Sequence, residues 1–278
     1  MPDARVVGEP TVPWDLKGLR VLVTGGGRGI GRVIATRFLA GGAEVAVCGR
    51  TEPEDLPEAA GTRAVFVSAD LREAAEAADA VREAARLLGG LDVLVNNAGG
   101  SPSADAATAS PRFFDRVVAL NLHAAFYCAQ AARPLMLEGG GGCVVNIGSI
   151  SGKDPSPGTS AYSVAKAGLL MLTRSLALEW GPAIRINHVT VGQVATEDMA
   201  EWYAGEDGSG EAVLERLAAT IPAGRMADPD DVASACLYLA SPLAGYVSGA
   251  DLDVTGGGEF PARHLATLPR EPGAGAPR

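Results

Sequence analysis

Residues 19–31 read Leu-Arg-Val-Leu-Val-Thr-Gly-Gly-Gly-Arg-Gly-Ile-Gly, an apolar run followed by a cluster of glycines. From Ile30 to Leu39 the apolar residues then recur with helical spacing. A glycine turn between a strand and a helix lets the backbone approach a phosphate group, which the helix N-terminus attracts. A glycine cluster alone is also typical of an ordinary turn. Its place between a strand and a helix favours a phosphate-binding turn.

Short apolar runs and amphipathic segments alternate along the rest of the chain. The pattern predicts strands at 44–48, 64–67, 91–95, 143–147, 184–189 and 252–254, and helices at 72–88, 111–137, 161–180 and 229–240. We expect Pro134 to kink or end the helix at 111–137. This alternation is typical of an α/β fold, here a single doubly wound Rossmann-type domain. Its central parallel sheet would have about seven strands, with helices on both faces.

The sequence divides into a central domain and two terminal segments. Residues 1–18 are predicted to form an N-terminal arm, 19–258 the domain and 259–278 a C-terminal tail. The stretch 193–221 interrupts the alternation and is rich in glycine and acidic residues, with Trp202 and Tyr203 within it. An insertion of this kind is typical of a lid over a binding site.

Composition excludes several classes of partner. The net charge of −10 repels nucleic acid, which we do not expect to bind. No apolar run reaches the roughly 20 residues that span a bilayer, and the first residues lack the apolar core of a signal peptide, so we expect a cytoplasmic protein. The four cysteines are expected to be small buried residues, and the three histidines lack the spacing of a metal site.

Tyr162 and Lys166 lie four residues apart on a predicted helix, with Ser149 upstream. This spacing puts the two side chains on one face, with their Cβ atoms about 5–6 Å apart. A free tyrosine titrates near pH 10, and a neighbouring ammonium group favours the phenolate. Lowering the pKa of the phenol by about three units would take about 4 kcal/mol. Alone, such a pair is commonly a surface contact.

The order of these motifs resembles the short-chain dehydrogenase/reductase superfamily, and specifically its single-domain subfamily. The glycine turn fits TGxxxGxG, residues 96–99 fit NNAG, and Tyr162 and Lys166 fit YxxxK. The resemblance covers roughly residues 18–258. It implies hydride transfer between a nicotinamide cofactor and a carbonyl or secondary alcohol.

The resemblance also implies individual roles. Tyr162 would be the general acid and base, Ser149 would hydrogen-bond the substrate oxygen, Lys166 would reach the nicotinamide ribose, and Asn121 would position a water molecule in a proton relay. The implied cofactor-binding residues are Thr24, Gly25, Arg28, Gly29, Ile30, Gly31, Arg50, Asp70, Leu71, Asn97, Ala98, Gly99, Tyr162, Lys166, Gly192, Val194 and Thr196. No metal is implied.

The end of the second strand indicates which nicotinamide cofactor binds. An acidic residue there would bind a free ribose 2′-hydroxyl, but this chain has Gly49 followed by Arg50. Arg28 brings a second guanidinium group to the same corner, and arginine suits a phosphate. The sequence therefore predicts NADP(H) rather than NAD(H). Stacking of Arg50 on the adenine ring is the alternative role for this side chain.

The substrate is less well defined by the sequence. We expect a small ketone or alcohol, and an assembly that is a homotetramer or homodimer. A 3-oxoacyl thioester is the alternative substrate, but the carrier-docking arginines of such reductases align with Pro134 and Leu178, and only Arg133 and Arg174 are available to substitute. A non-catalytic NADP-binding sensor or scaffold is the second alternative, although such proteins typically lose the tyrosine or the lysine. Epimerisation or dehydration on the same scaffold is the third.

Overall fold

A parallel sheet with helices on both faces forms the centre of the protein. The computed structural model describes residues 16–196, 210–258 and 260. Its elements are β1 (Arg20–Thr24), α1 (Gly29–Ala40), β2 (Glu44–Gly49), β3 (Glu58–Ala59), β4 (Thr62–Arg63), β5 (Val65–Ser68), α2 (Ala74–Leu88), β6 (Val93–Asn96), α3 (Pro111–Val118), α4 (Ala124–Glu138), β7 (Gly142–Ile147), α5 (Ser160–Trp180), β8 (Ile184–Val191), α6 (Gly210–Ala219), α7 (Pro229–Ala240) and β9 (Asp251–Val254).

The strand order of the main sheet is β5-β2-β1-β6-β7-β8-β9, and all neighbouring strands are parallel. The predicted fold class and strand number are therefore confirmed. From β1 the chain winds outward first to one edge and then, from β6, to the other. The reversal opens a crevice between β1 and β6 at the carboxyl ends of the strands, where such sheets bind their ligands.

Both faces of the sheet are buried. Val21 and Val23 of β1 pack on one face with α1 and α7, whereas Leu22 packs on the other with α2, α4 and α5. Because each strand is covered on both sides, its sequence is a nearly continuous apolar run. The four cysteines are all buried within these layers, as expected.

Leu16, at the end of the predicted N-terminal arm, packs with the domain. It is fully buried beside α1, and its backbone N–H donates to the carbonyl oxygen of Gly41 at 3.1 Å. Burial of a leucine side chain contributes about 1.5–3 kcal/mol.

The long predicted helix differs from expectation in two ways. A π-helical turn, Ala119–His123, separates α3 from α4. Pro134 lies inside α4 and does not end it, since the helix continues to Glu138. The proline removes one intrahelical hydrogen bond, the one to the Gln130 carbonyl oxygen, and the helix continues for one more turn.

The structure also contains short elements that were not predicted. The strands β3 and β4 form a hairpin in which Ala60 and Gly61 both have positive φ, the arrangement of a type I′ turn.

Within the predicted lid, Val194 forms a parallel bridge with Ala227, and α6 occupies the last part. The remainder of that segment, with Trp202 and Tyr203, and nearly all of the predicted tail lie outside the described residues. No helix in the described ranges is both long and apolar enough to cross a membrane.

Candidate active site

A cleft of about 730 Å³ lies at the carboxyl ends of the central strands. Most of the predicted site residues line it, namely Gly25, Arg28, Gly29, Ile30, Gly31, Arg50, Asp70, Leu71, Asn97, Ala98, Gly99, Ser149, Tyr162, Lys166, Gly192, Val194 and Thr196. Thr24 and Asn121 are buried behind this lining. The volume is within the range of cofactor and ligand pockets.

The glycine turn forms the floor of the cleft at the N-terminus of α1. Gly25 and Gly29 have φ of +64° and +50°, which favours glycine. A Cβ on Gly31 would lie 2.3 Å from Asn97 Nδ2 and 2.4 Å from the Gly25 carbonyl oxygen, so the helix packs too closely for any side chain. α1 begins in this turn, and the N–H groups and partial positive charge of a helix N-terminus attract an anion. These features fit a dinucleotide pyrophosphate.

Thr24 and Asn97 join this turn to the loop after β6. The Thr24 hydroxyl accepts hydrogen bonds from the backbone N–H groups of Asn97 and Ala98, each at 2.9 Å. In return, Asn97 Nδ2 donates to the Thr24 carbonyl oxygen at 2.9 Å. Because these bonds cross from one central strand to the next, they hold the two walls of the crevice together.

Asn121 lies in the π-helical turn and holds the following part of the same loop. Its Nδ2 donates to the carbonyl oxygens of Gly100 and Val117 and its Oδ1 accepts from the Gly100 N–H, all at 2.9 Å. The bond to Val117 takes the carbonyl that residue 121 would bind through its backbone in an α-helix. A Cβ on Gly99 would lie 2.7 Å from Asn121 Oδ1 and 3.3 Å from Lys166 Nζ, so both polar groups flank this glycine.

Lys166 is the buried cation of the site. It is 3% exposed, and its ammonium group donates to the Ile147 carbonyl oxygen at 2.7 Å. Burial lowers the pKa of this amine from 10.5 to about 8. Its Nζ lies 5.5 Å from the centre of the Tyr162 ring, so the predicted pair does share one helix face.

The Tyr162 phenol has a raised pKa, contrary to our expectation of a lowered one. Desolvation by burial is the larger effect, and a hydrogen bond with Ser149 opposes it only in part. Ser149 is held between β7 and a short 3-10 turn, Ile150–Gly152, whose Ser151 N–H donates to its hydroxyl at 3.2 Å. The site therefore holds a neutral phenol beside a hydroxyl and an ammonium group, an arrangement that can donate a proton to an oxygen in the cleft.

The corner of the cleft at the end of β2 has unoccupied space beside Gly49 and arginine side chains around it. A Cβ on Gly49 would have its nearest neighbour, Phe66 Cε2, at 4.0 Å. Arg50 and Arg28 are exposed on the cleft wall. Sequence reasoning missed Arg72, whose guanidinium Nε donates to Asp70 Oδ1 at 2.8 Å. This bond lowers the pKa of the Asp70 carboxyl, so Asp70 stays ionised beside the corner.

Further cleft-lining residues without a predicted role are Gly27, Cys48, Thr51, Glu52, Pro53, Phe66, Ala69, Gly100, Leu120, Ile147, Gly148 and Val191. Most are neighbours of predicted residues, and adjacency was the only signal that the sequence offered for them. In the described ranges, 16–196, 210–258 and 260, no cluster of three or more His, Cys, Asp or Glu side chains is arranged to hold a metal ion.

Comparison with known proteins assigns the family. Residues 25–259 match a family model described as Enoyl-(Acyl carrier protein) reductase. An uncharacterized oxidoreductase of Mycobacterium tuberculosis is 37% identical over 246 residues, covering 86% of this chain and 92% of the relative. A 3alpha-hydroxysteroid dehydrogenase of Mediterraneibacter gnavus is 35% identical over 249 residues, covering 87% and 97%.

A solved structure agrees with these relatives. The crystal structure of a putative short-chain alcohol dehydrogenase from Sinorhizobium meliloti superposes with a TM-score of 0.80 at 37% identity, covering 87% of this chain and 97% of that one. The chain therefore belongs to the short-chain dehydrogenase/reductase family of oxidoreductases, which act on CH–OH groups with a nicotinamide cofactor.

Proposed function

We propose that the protein interconverts a ketone and a secondary alcohol with NADP(H), with Tyr162 as the general acid and base. The observation that carries this proposal is the joint placement of Tyr162, Ser149 and Lys166 on the wall of the cleft. The phenol is neutral, it is hydrogen-bonded with Ser149, and a buried ammonium group stands behind it. Each of these groups suits proton transfer to a carbonyl oxygen.

In the direction of reduction, Tyr162 donates its phenolic proton to the substrate oxygen. A nicotinamide ring, when bound, supplies the hydride that the substrate carbon receives. Ser149 donates a hydrogen bond to the same oxygen and so stabilises the negative charge that develops there. The Lys166 ammonium group stabilises the phenolate that remains, and Asn121 holds Gly100 and the loop beside it. In the direction of oxidation, the phenolate accepts the proton back.

We infer NADP(H) as the cofactor from the corner at Gly49. The open space above this glycine leaves room for a 2′-phosphate, and no carboxylate occupies the position that would repel one. Arg50 and Arg28 supply guanidinium groups for the phosphate. The glycine turn and α1 bind the pyrophosphate, and Gly192, Val194 and Thr196 border the nicotinamide end.

We infer that the substrate is a small neutral ketone or alcohol. The second candidate is a 3-oxoacyl thioester, to which the description of the matching family model points. The carrier-docking positions, however, hold Pro134 and Leu178, and Leu178 is 88% exposed. The neighbouring Arg133 guanidinium packs over the Trp180 ring at 5.7 Å. An acidic carrier protein would therefore meet Pro134 and Leu178 at these two positions, with Arg133 and Arg174 as the neighbouring exposed cations.

We also infer a homo-oligomer. Val164, Met171 and Leu178 follow each other at seven-residue spacing on α5 and are 55%, 58% and 88% exposed. A stripe of large apolar side chains this exposed is typical of a helix that packs against another subunit. Light scattering coupled to size exclusion measures the mass directly, and a monomer would contradict the inference.

An NADPH-consumption screen over chemically varied ketones tests the activity. Wild type should consume NADPH with some of them. Tyr162→Phe should lose at least about a hundredfold in kcat while its NADPH affinity, measured by fluorescence, stays unchanged. Tight NADPH binding without turnover across the screen would refute the proposal in favour of a sensor. Equal activity of Tyr162→Phe would refute the role of the phenol.

A further inference from the structure

A row of buried polar side chains crosses the sheet beneath the catalytic residues. In register across β6, β7, β8 and β9 lie Asn96, Asn146, His188 and Asp251. Asn96 Nδ2 donates to Asn146 Oδ1 at 2.8 Å, and His188 Nδ1 lies 2.8 Å from Asp251 Oδ1. Buried polar groups of this kind need an explanation, and the proposed reaction does not use His188 or Asp251.

The hydrogen bonds define the state of His188. A carboxylate only accepts, so Nδ1 carries the proton that faces Asp251, and in the neutral ring Nε2 is then a bare acceptor. His188 is 1% exposed, and Nε2 is buried with no hydrogen-bond partner in the described residues. Burial also lowers the pKa of this imidazole, although Asp251 opposes the effect. The ring is therefore neutral near pH 7.

The imidazole packs directly against Gly148, the residue before Ser149. A Cβ on Gly148 would lie 2.0 Å from His188 Cε1 and 2.1 Å from Nε2, so the ring fills the space that a side chain would take. Gly148 is also held by its own N–H, which donates to the Val189 carbonyl oxygen at 2.8 Å. The backbone that carries the Ser149 hydroxyl is thus held by two contacts with β8, one to the backbone of Val189 and one to the histidine ring.

We propose that His188 is a positioning residue for Ser149: the neutral ring, held by Asp251, fixes the Gly148–Ser149 backbone, and the protonated ring releases it. The inference rests on the proposed function, because it gives Ser149 a part in the reaction. His188 touches neither the substrate nor the cofactor in this proposal and acts only through Gly148.

The charges around His188 explain why protonation would release the backbone. The charged groups facing the ring are Asp251 on β9, Lys166 on α5 and Lys153, which follows the 3-10 turn. The Lys153 ammonium group lies 2.7 Å from Asp251 Oδ2 and also pairs with Asp253. Asn146, the β7 residue in register with His188, is uncharged and donates to the Thr173 hydroxyl of α5 at 2.9 Å. A proton on Nε2 would meet no acceptor and would add a buried positive charge near Lys166, so the ring must leave Gly148.

A double-mutant cycle tests the clamp. His188→Asn keeps a donor for Asp251 but removes the ring from Gly148, and kcat should fall by about tenfold to a hundredfold with unchanged NADPH affinity. Gly148→Ala should also lower kcat, because its methyl group collides with the ring. In the double variant the methyl group fills the vacated space, so kcat should recover to within about threefold of wild type. An unchanged kcat in His188→Asn, or losses that simply multiply, would overturn the proposal.

The pH dependence of kcat distinguishes the proposed role of His188 from a purely structural one, because a purely structural residue would not change the shape of the profile. Wild type should lose activity on the acid side as His188 takes up a proton, and His188→Asn should lack this limb. Asp251→Asn removes an anion that stabilises the imidazolium, so the acid-side loss of activity should shift to lower pH. Lys153→Met removes a cation that disfavours the imidazolium, so the same loss should shift to higher pH. Shifts in the same direction, or none, would contradict the proposal. Absence of turnover in wild type would instead refute the proposed function.

Discussion

The Lys166 ammonium group lies 2.7 Å from the carbonyl oxygen of Ile147, the last residue of β7. This carbonyl is the one hydrogen-bond acceptor found for the cation among the described residues, and the side chain is buried against it. One bond to a neutral oxygen compensates only part of the lost hydration, which is why the pKa of the amine falls to about 8. The Lys166 side chain therefore changes its protonation state close to physiological pH.

We predict that NADPH affinity falls above about pH 8. The folded pKa of Lys166, about 8, lies below its ordinary value of 10.5, so the free protein loses this cation early. The Kd for NADPH, measured by fluorescence, should rise by up to about tenfold per pH unit above that point. Lys166→Met should bind more weakly at neutral pH and show a flat profile between pH 7 and pH 10. A flat wild-type profile would show that the ammonium group does not assist binding.

A carboxylate at position 49 should reverse the cofactor preference. Gly49→Asp has room for its side chain, since an added Cβ has no neighbour closer than 4.0 Å. It would repel the 2′-phosphate and bind the free 2′-hydroxyl, so the ratio of kcat/KM for NADPH over NADH should fall by at least about tenfold. Gly49→Ala is the matched control and should leave the ratio unchanged. A wild-type preference for NADH would contradict the assignment of NADP(H).

The glycines of the turn should differ sharply in their tolerance of a methyl group. At Gly31 the added Cβ would lie 2.3 Å from Asn97 Nδ2 and 2.4 Å from the Gly25 carbonyl oxygen, so Gly31→Ala should abolish NADPH binding or folding. Gly29→Ala meets no atom within 4 Å, and its φ of +50° should cost only about 1 kcal/mol in the free energy of unfolding. Thermal unfolding and NADPH titration distinguish the two. Equal effects would show that close packing at Gly31 is unimportant.

The Thr24 hydroxyl should contribute to stability as an acceptor. Thr24→Val keeps the shape of the side chain but leaves the N–H groups of Asn97 and Ala98 without their partner, at a cost of about 2 kcal/mol in the free energy of unfolding. Thr24→Ser retains the hydroxyl and should cost less than about 1 kcal/mol. Denaturant unfolding measures both values. If serine were as destabilising as valine, the lost methyl contacts, rather than the hydrogen bonds, would explain the effect.

Sequence reasoning succeeded where one strong local signal acts. The helix at Pro229–Ala240 was predicted to the residue, because proline favours the first turn of a helix, and in the structure Asp228 and Asp231 add a capping box. The central strands were predicted to within about two residues, since burial on both faces leaves continuous apolar runs. β8 extends to Val191, two residues beyond the prediction.

The failures involve effects that depend on three-dimensional neighbours. The π-helical turn has no periodicity of its own, and β3 and β4 are too short to show alternation. The pKa of the Tyr162 phenol is raised by burial, which outweighs the hydrogen bond with Ser149 and cannot be read from spacing on a helix. His188 and Asp251 are far apart in sequence, and only the register of β8 with β9 brings them into contact.

Because of the π-helical turn at Ala119–His123, a helical wheel drawn over the whole long helix misplaces part of its side chains. A π turn holds one residue more than an α turn, so the helix that leaves it is rotated by about 100° relative to the helix that enters. A wheel drawn from Pro111 therefore assigns the wrong side of α4 to the interior. Deleting one residue within the turn would restore a continuous α-helix, but only by rotating either Asn121 away from Gly100 or the buried face of α4 away from the sheet.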